Sequence, residues 1–408
     1  MKNGKKHFAL LTSASVVTLA LVGCGVSPNS LSMAGARGGN LSAQSVRGEV
    51  VVKFKDARSR QAMLQKMGLR TVSKVNRLEA VVVKSANPAQ TIAALKQDSS
   101  VLYAEPNYIA KAIGVVNPAP RLGFGIRSED ELLSKLWGME KTEAAKAWAV
   151  TTGSPEVKVA VVDTGIDYNH PDFGNRVAKG YDFINNDEDA MDDHYHGTHC
   201  AGTIGAGINN GGVVGMAPNV SMLAVKVLSR SGSGSYAGVA NGIIYAADQG
   251  SQIISMSLGG PAGSALVEDA VKHAIGKGSL VVAAMGNDNS ERPSYPAAAP
   301  GVMAVGATTS SDQRSSFSNF GKHISVGAPG SDILSTVPGG KYRSLSGTSM
   351  ACPHTAGLAG LVKSANPDFT AEQIQAQIEK SADDLGNQGF DKYFGHGRIN
   401  AARAVSAQ

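Results

Sequence analysis

The chain has few cysteines and few aromatic residues, and its charges do not gather into stripes. It contains 3 cysteines and 5% aromatic residues among 408, which excludes a disulfide-stapled scaffold and disfavours an aromatic-filled barrel. The net charge of +5 is small for this length, and Lys and Arg are scattered, so nucleic-acid binding has no support. The abundant residues are 48 glycines and a 42% hydrophobic fraction, which suit a sheet flanked by helices. The length allows two or three domains.

The first 24 residues have the pattern of an export signal. Lys2, Lys5 and Lys6 precede an apolar stretch at residues 8–22, and Leu-Val-Gly-Cys ends at Cys24. The pattern looks like a bacterial lipobox, so we predict a lipoprotein-type signal peptide over residues 1–23 with a lipid on Cys24. An ordinary signal peptide with an unmodified Cys24 is the alternative. Apart from that lipid, nothing in the sequence predicts a membrane attachment.

A small domain is predicted after a Gly, Ser and Asn-rich tether at residues 24–45. Strand-like runs at 49–54, 78–83 and 101–105 alternate with helical stretches at 58–67 and 88–97, and 71–75 could add a weak strand. This β-α-β-β-α-β rhythm predicts a ferredoxin-like α+β domain over residues 46–112. Residues 113–128 contain Pro and Gly without periodicity, so we expect an exposed linker that contains a cleavage site.

From residue 129 to residue 408, apolar runs alternate with helical stretches rich in small residues. The runs lack polar alternation, which is typical of strands buried on both faces. They lie at residues 157–162, 222–227, 253–256, 280–284 and 302–305. We predict an α/β domain with a mainly parallel central sheet flanked by helices. Asp163 directly follows the first run, at the strand end where sites form in such sheets.

Three motifs in this domain carry a carboxylate, an imidazole and a hydroxyl. They are Val-Val-Asp-Thr-Gly around Asp163, His-Gly-Thr-His from His196 and Gly-Thr-Ser-Met-Ala around Ser349. A serine hydroxyl needs a base within hydrogen-bond reach, and that base needs a third group to hold its tautomer. With these motifs in the order Asp, His, Ser, the chain resembles the subtilisin-like serine proteases of the thermitase-like and fervidolysin-like branch. The resemblance implies a catalytic triad with His196, rather than His199, as the base.

The same resemblance implies which groups hold the substrate. Asn287 matches the family's oxyanion donor, beside the backbone N–H of Ser349 at the start of a helix with Pro353 in its first turn. Two segments match the edges that flank an extended peptide in the family: Gly232, Ser233, Gly234 and Ser257, Leu258, Gly259. Ala284 and Gly286 match the pocket for the side chain before the scissile bond. Ser294 stands where the family often has glycine at the base of that pocket, which leaves the pocket depth open.

Oxygen-rich segments indicate structural calcium, which prefers six to eight oxygen ligands. Two clusters match calcium sites of the family: Asp130, Asp172, Gly207, Asn209, Gly211 and Val213 for a strong site, and Asp182, Asn185, Asp187 and Asp189 for a second. Solvated acidic loops are the alternative interpretation. No catalytic cofactor is implied. The two remaining cysteines, Cys200 and Cys352, are expected on helices behind the site, and whether they pair stays open.

The resemblance extends to the small domain, whose ending Tyr-Ala-Glu-Pro-Asn-Tyr at Tyr103–Tyr108 is similar to an inhibitory propeptide. We therefore predict an exported, self-processed serine endopeptidase that acts on polypeptides through an acyl-enzyme, with its own propeptide as intramolecular inhibitor. A monomer is expected, secreted or held at the cell envelope. Two alternatives stay open: a narrow-specificity processing protease of the envelope, and a catalytically silent surface binding protein, against which the complete triad argues.

Overall fold

A computed structural model of the protein describes residues 43–114, 132–208 and 211–406. The predicted signal peptide, Cys24, nearly all of the tether, most of the linker, Asp130 and Asn209 lie outside these ranges. The described residues belong to one compact unit. Among their helices, none is both long enough and apolar enough to cross a membrane.

The N-terminal domain is an antiparallel sheet with two helices on one face. Its elements are β1 (Ser45–Phe54), α1 (Ala57–Lys66), β2 (Arg70–Val75), β3 (Ala80–Lys84), α2 (Pro88–Leu95) and β4 (Val101–Ala112). The strand order is β4-β1-β3-β2. Because side chains alternate along a strand, Val50 and Val52 lie beneath the helices while Val51 faces the larger domain. Asp56 and Asn87 cap the two helices through their side chains.

The larger domain contains the remaining strands and helices of the described chain. Its strands are β5 (Lys158–Asp163), β6 (Val177–Asp182), β7 (Ser221–Lys226), β8 (Ser233–Ser235), β9 (Ile253–Met256), β10 (Leu258–Gly259), β11 (Leu280–Ala284), β12 (Val302–Thr308), β13 (Val326–Pro329), β14 (Ile333–Val337) and β15 (Lys341–Leu345). Its helices are α3 (Trp137–Lys141), α4 (Ala144–Trp148), α5 (His196–Gly205), α6 (Tyr236–Asp248), α7 (Ala265–Gly276), α8 (Thr348–Ala365), α9 (Ala371–Ser381) and α10 (Ala401–Ser406).

Seven parallel strands form the central sheet, in the order β13-β12-β11-β9-β5-β7-β6. Helices cover both faces: Val159 and Val161 of β5 join the apolar cluster that contains α5 and α8, whereas Ala160 and Val162 join the cluster that contains α6 and α7. The predicted α/β fold class, with a parallel sheet between helical layers, is confirmed.

The carboxyl ends of the strands bring the predicted site residues to one edge of the sheet. Asp163 ends β5, Ser257 follows β9 and Asn287 lies three residues after β11. Strand β4 reaches the same edge from the other domain: its first part pairs with β1, and its last residues pair with β8 and β10. The small domain therefore extends a strand of its own into the edge that the sequence motifs occupy.

Candidate active site

Asp163 and His196 meet because β5 ends beside the first turn of α5. His196 Nδ1 lies 2.8 Å from Asp163 Oδ1 and 3.0 Å from Oδ2. Both side chains are buried, with relative exposures of 0% for Asp163 and 1% for His196. Gly197 explains the close approach, since a Cβ there would lie 2.0 Å from the Gly165 carbonyl oxygen. With the hydrogen on Nδ1, Nε2 is left free to accept a proton.

Opposing effects act on the His196 imidazole. Burial disfavours its charged form, but the Asp163 carboxylate and its hydrogen bond outweigh burial and raise the pKa of His196. His199 differs, because burial lowers its pKa to about 3. Its Nε2 lies 3.0 Å from both the Ile333 and Arg343 carbonyl oxygens, so this nitrogen donates to backbone. A ring used in this way is structural, which supports His196 as the base.

Ser349 lies in the first turn of α8, with its hydroxyl donated to the Ser257 carbonyl oxygen at 2.9 Å. No described residue hydrogen-bonds to His196 Nε2, so the Ser349 hydroxyl does not bond to it in this structure. Gly114 directly follows Ile113 in the segment that fills the cleft, and a Cβ on Gly114 would lie 3.3 Å from His196 Nε2. Nε2 therefore faces the peptide in the cleft.

Pro353 does not lie in the first turn of α8, and this expectation is corrected. The helix begins at Thr348, so Pro353 removes the backbone donor that would have bonded the Ser349 carbonyl. Two side chains take its place: Ser257 Oγ donates to the Ser349 oxygen at 2.9 Å and Cys200 Sγ lies 3.5 Å away. Ser257 and Ser349 thus form a reciprocal pair of hydrogen bonds at the start of α8.

Asn287 is oriented by the start of α8. Its Oδ1 accepts from the Thr348 backbone N–H at 2.9 Å and from the Thr348 hydroxyl at 3.0 Å. This fixes which end of the amide faces the cleft, and Nδ2 donates to the Ile113 carbonyl oxygen at 3.2 Å. A carbonyl oxygen of the peptide in the cleft therefore accepts from the side chain that the sequence analysis predicts to be an oxyanion donor.

The last residues of the small domain fill the cleft as a strand between two edges. Ala110 pairs with Gly234 and Lys111 with Ser233 on one side, while Lys111 pairs with Gly259 on the other. The Ala112 N–H donates to the Gly232 carbonyl oxygen at 2.8 Å, and the Ile113 N–H donates to the Ser257 carbonyl oxygen at 3.2 Å. All six predicted edge residues therefore surround this segment: Gly232, Ser233, Gly234, Ser257, Leu258 and Gly259. This is recognition by strand addition, which reads backbone before side chains.

The Ile113 side chain lies beside Gly259, where a Cβ would lie 3.0 Å from Ile113 Cδ1. Ser294 lies between Gly259 and Gly286 and is 9% exposed. On the other side of Ser294, a Cβ on Gly286 would lie 3.6 Å from Ser294 Cβ, and Ala284 ends β11 two residues earlier. The assignment of Ala284 and Gly286 to a side-chain pocket stays a prediction. Gly347 lets the carbonyl enter, since a Cβ there would lie 2.8 Å from the Ile113 oxygen.

Strand β4 also supplies two helix caps that the sequence analysis did not identify. Glu105 accepts from the Ser264 hydroxyl at 2.6 Å and from the Ala265 and Leu266 N–H groups at the start of α7. Asn107 accepts from the Ala237 N–H at the start of α6. Carboxylate and amide oxygens suit the unpaired N–H groups of a helix N-terminus. The only sequence signal was the polar pair itself within Tyr103–Tyr108.

Asp192 is a second buried carboxylate near His196 that sequence reasoning missed. It accepts from the Thr164 hydroxyl at 2.9 Å and from both the N–H and the hydroxyl of Thr198. Thr164 in turn accepts from the Gly197 N–H at 2.9 Å. This network ties the end of β5 to the first turn of α5. Burial raises the pKa of Asp192, while these hydrogen bonds favour its charged form.

Only part of the first calcium cluster is described. Asp172 is 1% exposed, and it accepts from Tyr342 Oη at 2.8 Å and from the Val213 N–H at 3.0 Å. Its own carbonyl accepts from Gly207, so Asp172 bonds to both ends of the segment that contains Gly211. A buried carboxylate beside a loop rich in backbone carbonyls fits calcium chemistry. Asp130 and Asn209 lie outside the described residues.

The second calcium cluster forms one tight loop that begins at the end of β6. Asp182 accepts from the Asn185 N–H and its side-chain amide, and Asp187 pairs with Asp182 through backbone hydrogen bonds. Tyr168 donates to Asp189. Within the described chain, however, the only three metal-ligating groups with atoms within 4.8 Å of one another are Asp163, His196 and Cys200. Asp182 and Asp187 accept hydrogen bonds from within the loop and Asp189 accepts from Tyr168, so these carboxylates do not converge.

Cys200 and Cys352 are free thiols, both fully buried on α5 and α8. Burial raises the pKa of Cys352 to about 11 and that of Cys200 well above its usual range. Both thiols therefore stay protonated and inert, as small packing residues behind the site.

Comparisons with known proteins agree with this geometry. The subtilase family model matches residues 154–397, and the fervidolysin N-terminal prodomain model matches residues 34–107. The chain is 42% identical over 367 residues to the thermophilic serine proteinase of Bacillus sp. (strain AK1), covering 88% of each protein. It is 48% identical over 273 residues to thermitase of Thermoactinomyces vulgaris, covering 67% of this chain and 96% of thermitase.

A solved structure has the same fold over most of the chain. Fervidolysin from Fervidobacterium pennivorans, described as a keratinolytic enzyme related to subtilisin, superposes with a TM-score of 0.80 at 28% identity. The match covers 90% of this chain but 62% of fervidolysin, so this chain spans less than two thirds of that protein. The chain belongs to the subtilase family, and it is a serine endopeptidase with a fervidolysin-type N-terminal prodomain.

Proposed function

We propose that the protein is an exported, self-processing precursor in which Asp163, His196 and Ser349 form the catalytic triad. The observation that carries this is the Ile113–Gly114 peptide. The Ile113 oxygen accepts from Asn287 Nδ2, Gly114 lies against His196, and the Ser257 carbonyl that accepts from the Ile113 N–H also accepts from Ser349 Oγ. A bound peptide in this register presents its carbonyl carbon to the nucleophile and its nitrogen to the imidazole.

The reaction follows from these positions. Ser349 Oγ bonds to the carbonyl carbon as its proton passes to His196 Nε2, and Asp163 stabilises the imidazolium. Asn287 Nδ2 and the Ser349 N–H hold the developing oxyanion. The C–N bond then breaks as Nε2 returns the proton to the leaving amine. Water, deprotonated by the same nitrogen, hydrolyses the acyl-enzyme and restores Ser349.

The first substrate is the chain itself, at the bond between Ile113 and Gly114. The segment before this bond makes the strand pairings with β8 and β10 in the cleft, and Gly114 lies against His196. Cleavage would leave residues up to Ile113 as a product-like inhibitor in the cleft. It would also separate the enzyme from a lipid on Cys24, so the mature enzyme would be secreted while the prodomain stays at the envelope.

Replacement of the nucleophile tests this proposal. Ser349→Ala should accumulate as uncut precursor near 42.0 kDa, whereas wild type and the exposed-site control Ser310→Ala should yield a product that begins at Gly114 by N-terminal sequencing. A serine-directed fluorophosphonate should label wild type at Ser349. A mature-sized product from purified Ser349→Ala, free of other proteases, would contradict self-cleavage, and failure of labelling would favour a silent binding protein.

Calcium is proposed as a structural ion at the Asp172 loop, and at the Asp182–Asp189 loop if binding reorganises its carboxylates. The metal would clamp loops and take no part in the chemistry. Because such an ion binds only the folded protein, chelation should lower the melting temperature, and added calcium should restore it. Asp172→Asn should abolish most of that calcium-dependent shift. An identical melting temperature with and without chelator would rule out the metal.

A further inference from the structure

Lys226 is a buried cation at the edge of the sheet where the proposed triad lies, and the mechanism above does not use it. It ends β7 and lies directly opposite Asp163 of β5 in the parallel register. Its side chain is 1% exposed. Because a lysine is almost never fully buried unless its charge is paired, this position needs a physical reason.

The Lys226 ammonium has as many acceptors as it has hydrogens. Nζ donates to the Thr164 carbonyl oxygen at 2.8 Å, to the Leu228 carbonyl oxygen at 2.8 Å and to Asp193 Oδ1 at 2.6 Å. A neutral amine has only two N–H groups and would leave one of these acceptors without a hydrogen. The arrangement therefore fits the charged form of the side chain, with every donor used.

Two of the three hydrogen bonds reach the segments that carry the base and its carboxylate. Thr164 directly follows Asp163, and Asp193 lies three residues before His196. Lys226 thus joins the end of β5 to the segment that leads into α5. The separation of Asp163 and His196 depends on how these two segments are held.

The third hydrogen bond reaches the segment that leads to the cleft edge. Leu228 donates its N–H to the Asp163 carbonyl oxygen at 3.1 Å, and the next residue, Ser229, donates its N–H to the Ser233 carbonyl oxygen at 3.0 Å. Ser233 begins β8, which pairs with the peptide in the cleft. One ammonium therefore connects the triad segments with the edge that holds the substrate backbone.

Stability alone explains this arrangement less well. The carboxylate of Asp193 is 47% exposed, so water screens its attraction for the ammonium. The ammonium itself bears the cost of burial, and an apolar side chain of similar length would fill the same space without that cost. A buried charge with this cost suits a site where geometry has to be fixed.

We propose that Lys226 is a positioning residue whose ammonium holds the Asp163–His196 pair and the Gly232–Gly234 edge in one arrangement. The inference rests on the proposed function, because it describes how the same triad and the same edge are held. Without the ammonium, the buried carbonyl oxygens of Thr164 and Leu228 lose their donor and the segments can move apart. Displacement of the base lowers kcat, whereas displacement of the edge raises KM for substrates that pair with β8.

The test compares matured wild type with Lys226→Met, with kcat normalised to the active sites that a fluorophosphonate titrates. On the anilide of Ala-Lys-Ala-Ile, which copies residues 110–113, kcat should fall by about tenfold or more and KM should rise severalfold. On the anilide of N-acetyl-isoleucine, which is too short to pair with Gly232–Gly234, kcat should fall equally while KM stays unchanged. Because misfolded enzyme is not titrated, a merely stabilising lysine would leave the normalised kcat and KM unchanged.

A second variant and a matched control complete the experiment. Asp193→Ala keeps the ammonium and cuts only its connection to the segment before His196, so kcat should fall by about threefold or more on both substrates with KM unchanged. This variant decides the question if Lys226→Met does not fold. Lys158→Met is the control, because Lys158 begins β5 at the opposite end of the sheet and donates to the Gln249 carbonyl oxygen at 2.8 Å. Its replacement should change neither constant.

Normalised constants of Lys226→Met or Asp193→Ala that equal those of wild type would overturn the inference. So would a fall in Lys158→Met as large as that in Lys226→Met. An enzyme that labels with fluorophosphonate and cleaves both anilides, yet is indifferent to these substitutions, contradicts only the role of Lys226. A wild-type protein that neither labels nor cleaves any substrate contradicts the proposed function itself.

Discussion

At the scale of single residues, the proposed mechanism makes the pH dependence of activity follow the protonation of His196. Nδ1 is held by Asp163, so Nε2 must be unprotonated to accept the proton of Ser349. The pKa of the ring is raised because the carboxylate outweighs burial. Activity should therefore fall as the pH drops through this raised pKa, at a higher pH than for an ordinary histidine.

Asp163→Asn should move this acid limb to lower pH, because the substitution removes the charge that raises the pKa of His196. It should also lower kcat by about 10⁴-fold, since the tautomer is no longer held. The measurement is kcat/KM against pH with a sensitive fluorogenic peptide. Asp193→Asn is the matched control: it removes a nearby carboxylate that bonds to Lys226 and not to His196. A midpoint that stays in place or rises in Asp163→Asn would contradict the assignment.

At the scale of elements, β4 contacts the larger domain in two ways along its length. Its polar side chains cap α6 and α7, and its last residues fill the cleft. The opposite sides of the same helices contribute to the apolar cluster beneath the sheet, so the caps act on elements that are already rigid. The prodomain is thus held by helix ends as well as by the cleft.

Glu105→Ala should weaken retention of the cleaved prodomain by about tenfold or more, because three donors at the start of α7 lose a charged acceptor. Gel filtration of the cleaved complex, combined with its residual activity, measures this. Glu79→Ala is the control, since that exposed glutamate pairs with Arg60 inside the prodomain. Equal retention by Glu105→Ala and wild type would show that the caps contribute nothing to inhibition.

At the scale of the whole molecule, the two domains carry charges of opposite sign. Residues 43–114 contain 12 Lys and Arg against 5 Asp and Glu, whereas residues 132–406 contain 20 against 25. Two ion pairs cross between them: Lys53 with Asp269 at 2.7 Å and Arg77 with Asp248 at 2.9 Å. Each partly exposed pair contributes little alone, but the summed attraction favours the complex.

Salt should therefore promote release of the cleaved prodomain. Raising the ionic strength from about 0.05 M to about 0.5 M should speed the appearance of protease activity by severalfold, because screening weakens the attraction between domains. Lys53→Gln together with Arg77→Gln should reduce this salt dependence, while Lys96→Gln, on the far side of the prodomain, should change it less. Activity that appears at the same rate at all ionic strengths would contradict an electrostatic contribution.

Much of the fold could be predicted because buried parallel strands have a local signature. The apolar runs that end at residues 162, 227 and 284 became strands β5, β7 and β11. Strand β6 was missed because it lies at the sheet edge, where Ala178 and Lys179 are exposed and the sequence is not continuously apolar. The β14–β15 hairpin was also missed, although Pro338-Gly339-Gly340 between its strands is a turn signal. Strand β4 was expected to end near residue 105, but it extends to Ala112. Its final residues could not be predicted as strand because they gain partners only from the other domain.

The sequence by itself determined the family, the order of the three motifs and the alternation of strands and helices, because each depends on residues that are close together in the chain. The tertiary structure decided what those residues meet. It positioned Asp163 against His196 and brought both Ile113 and Ser294 close to Gly259. It also replaced the helix hydrogen bond that Pro353 cannot donate with one from the Ser257 hydroxyl. Such contacts join residues far apart in the chain, and only packing of the sheet and helices fixes their distances.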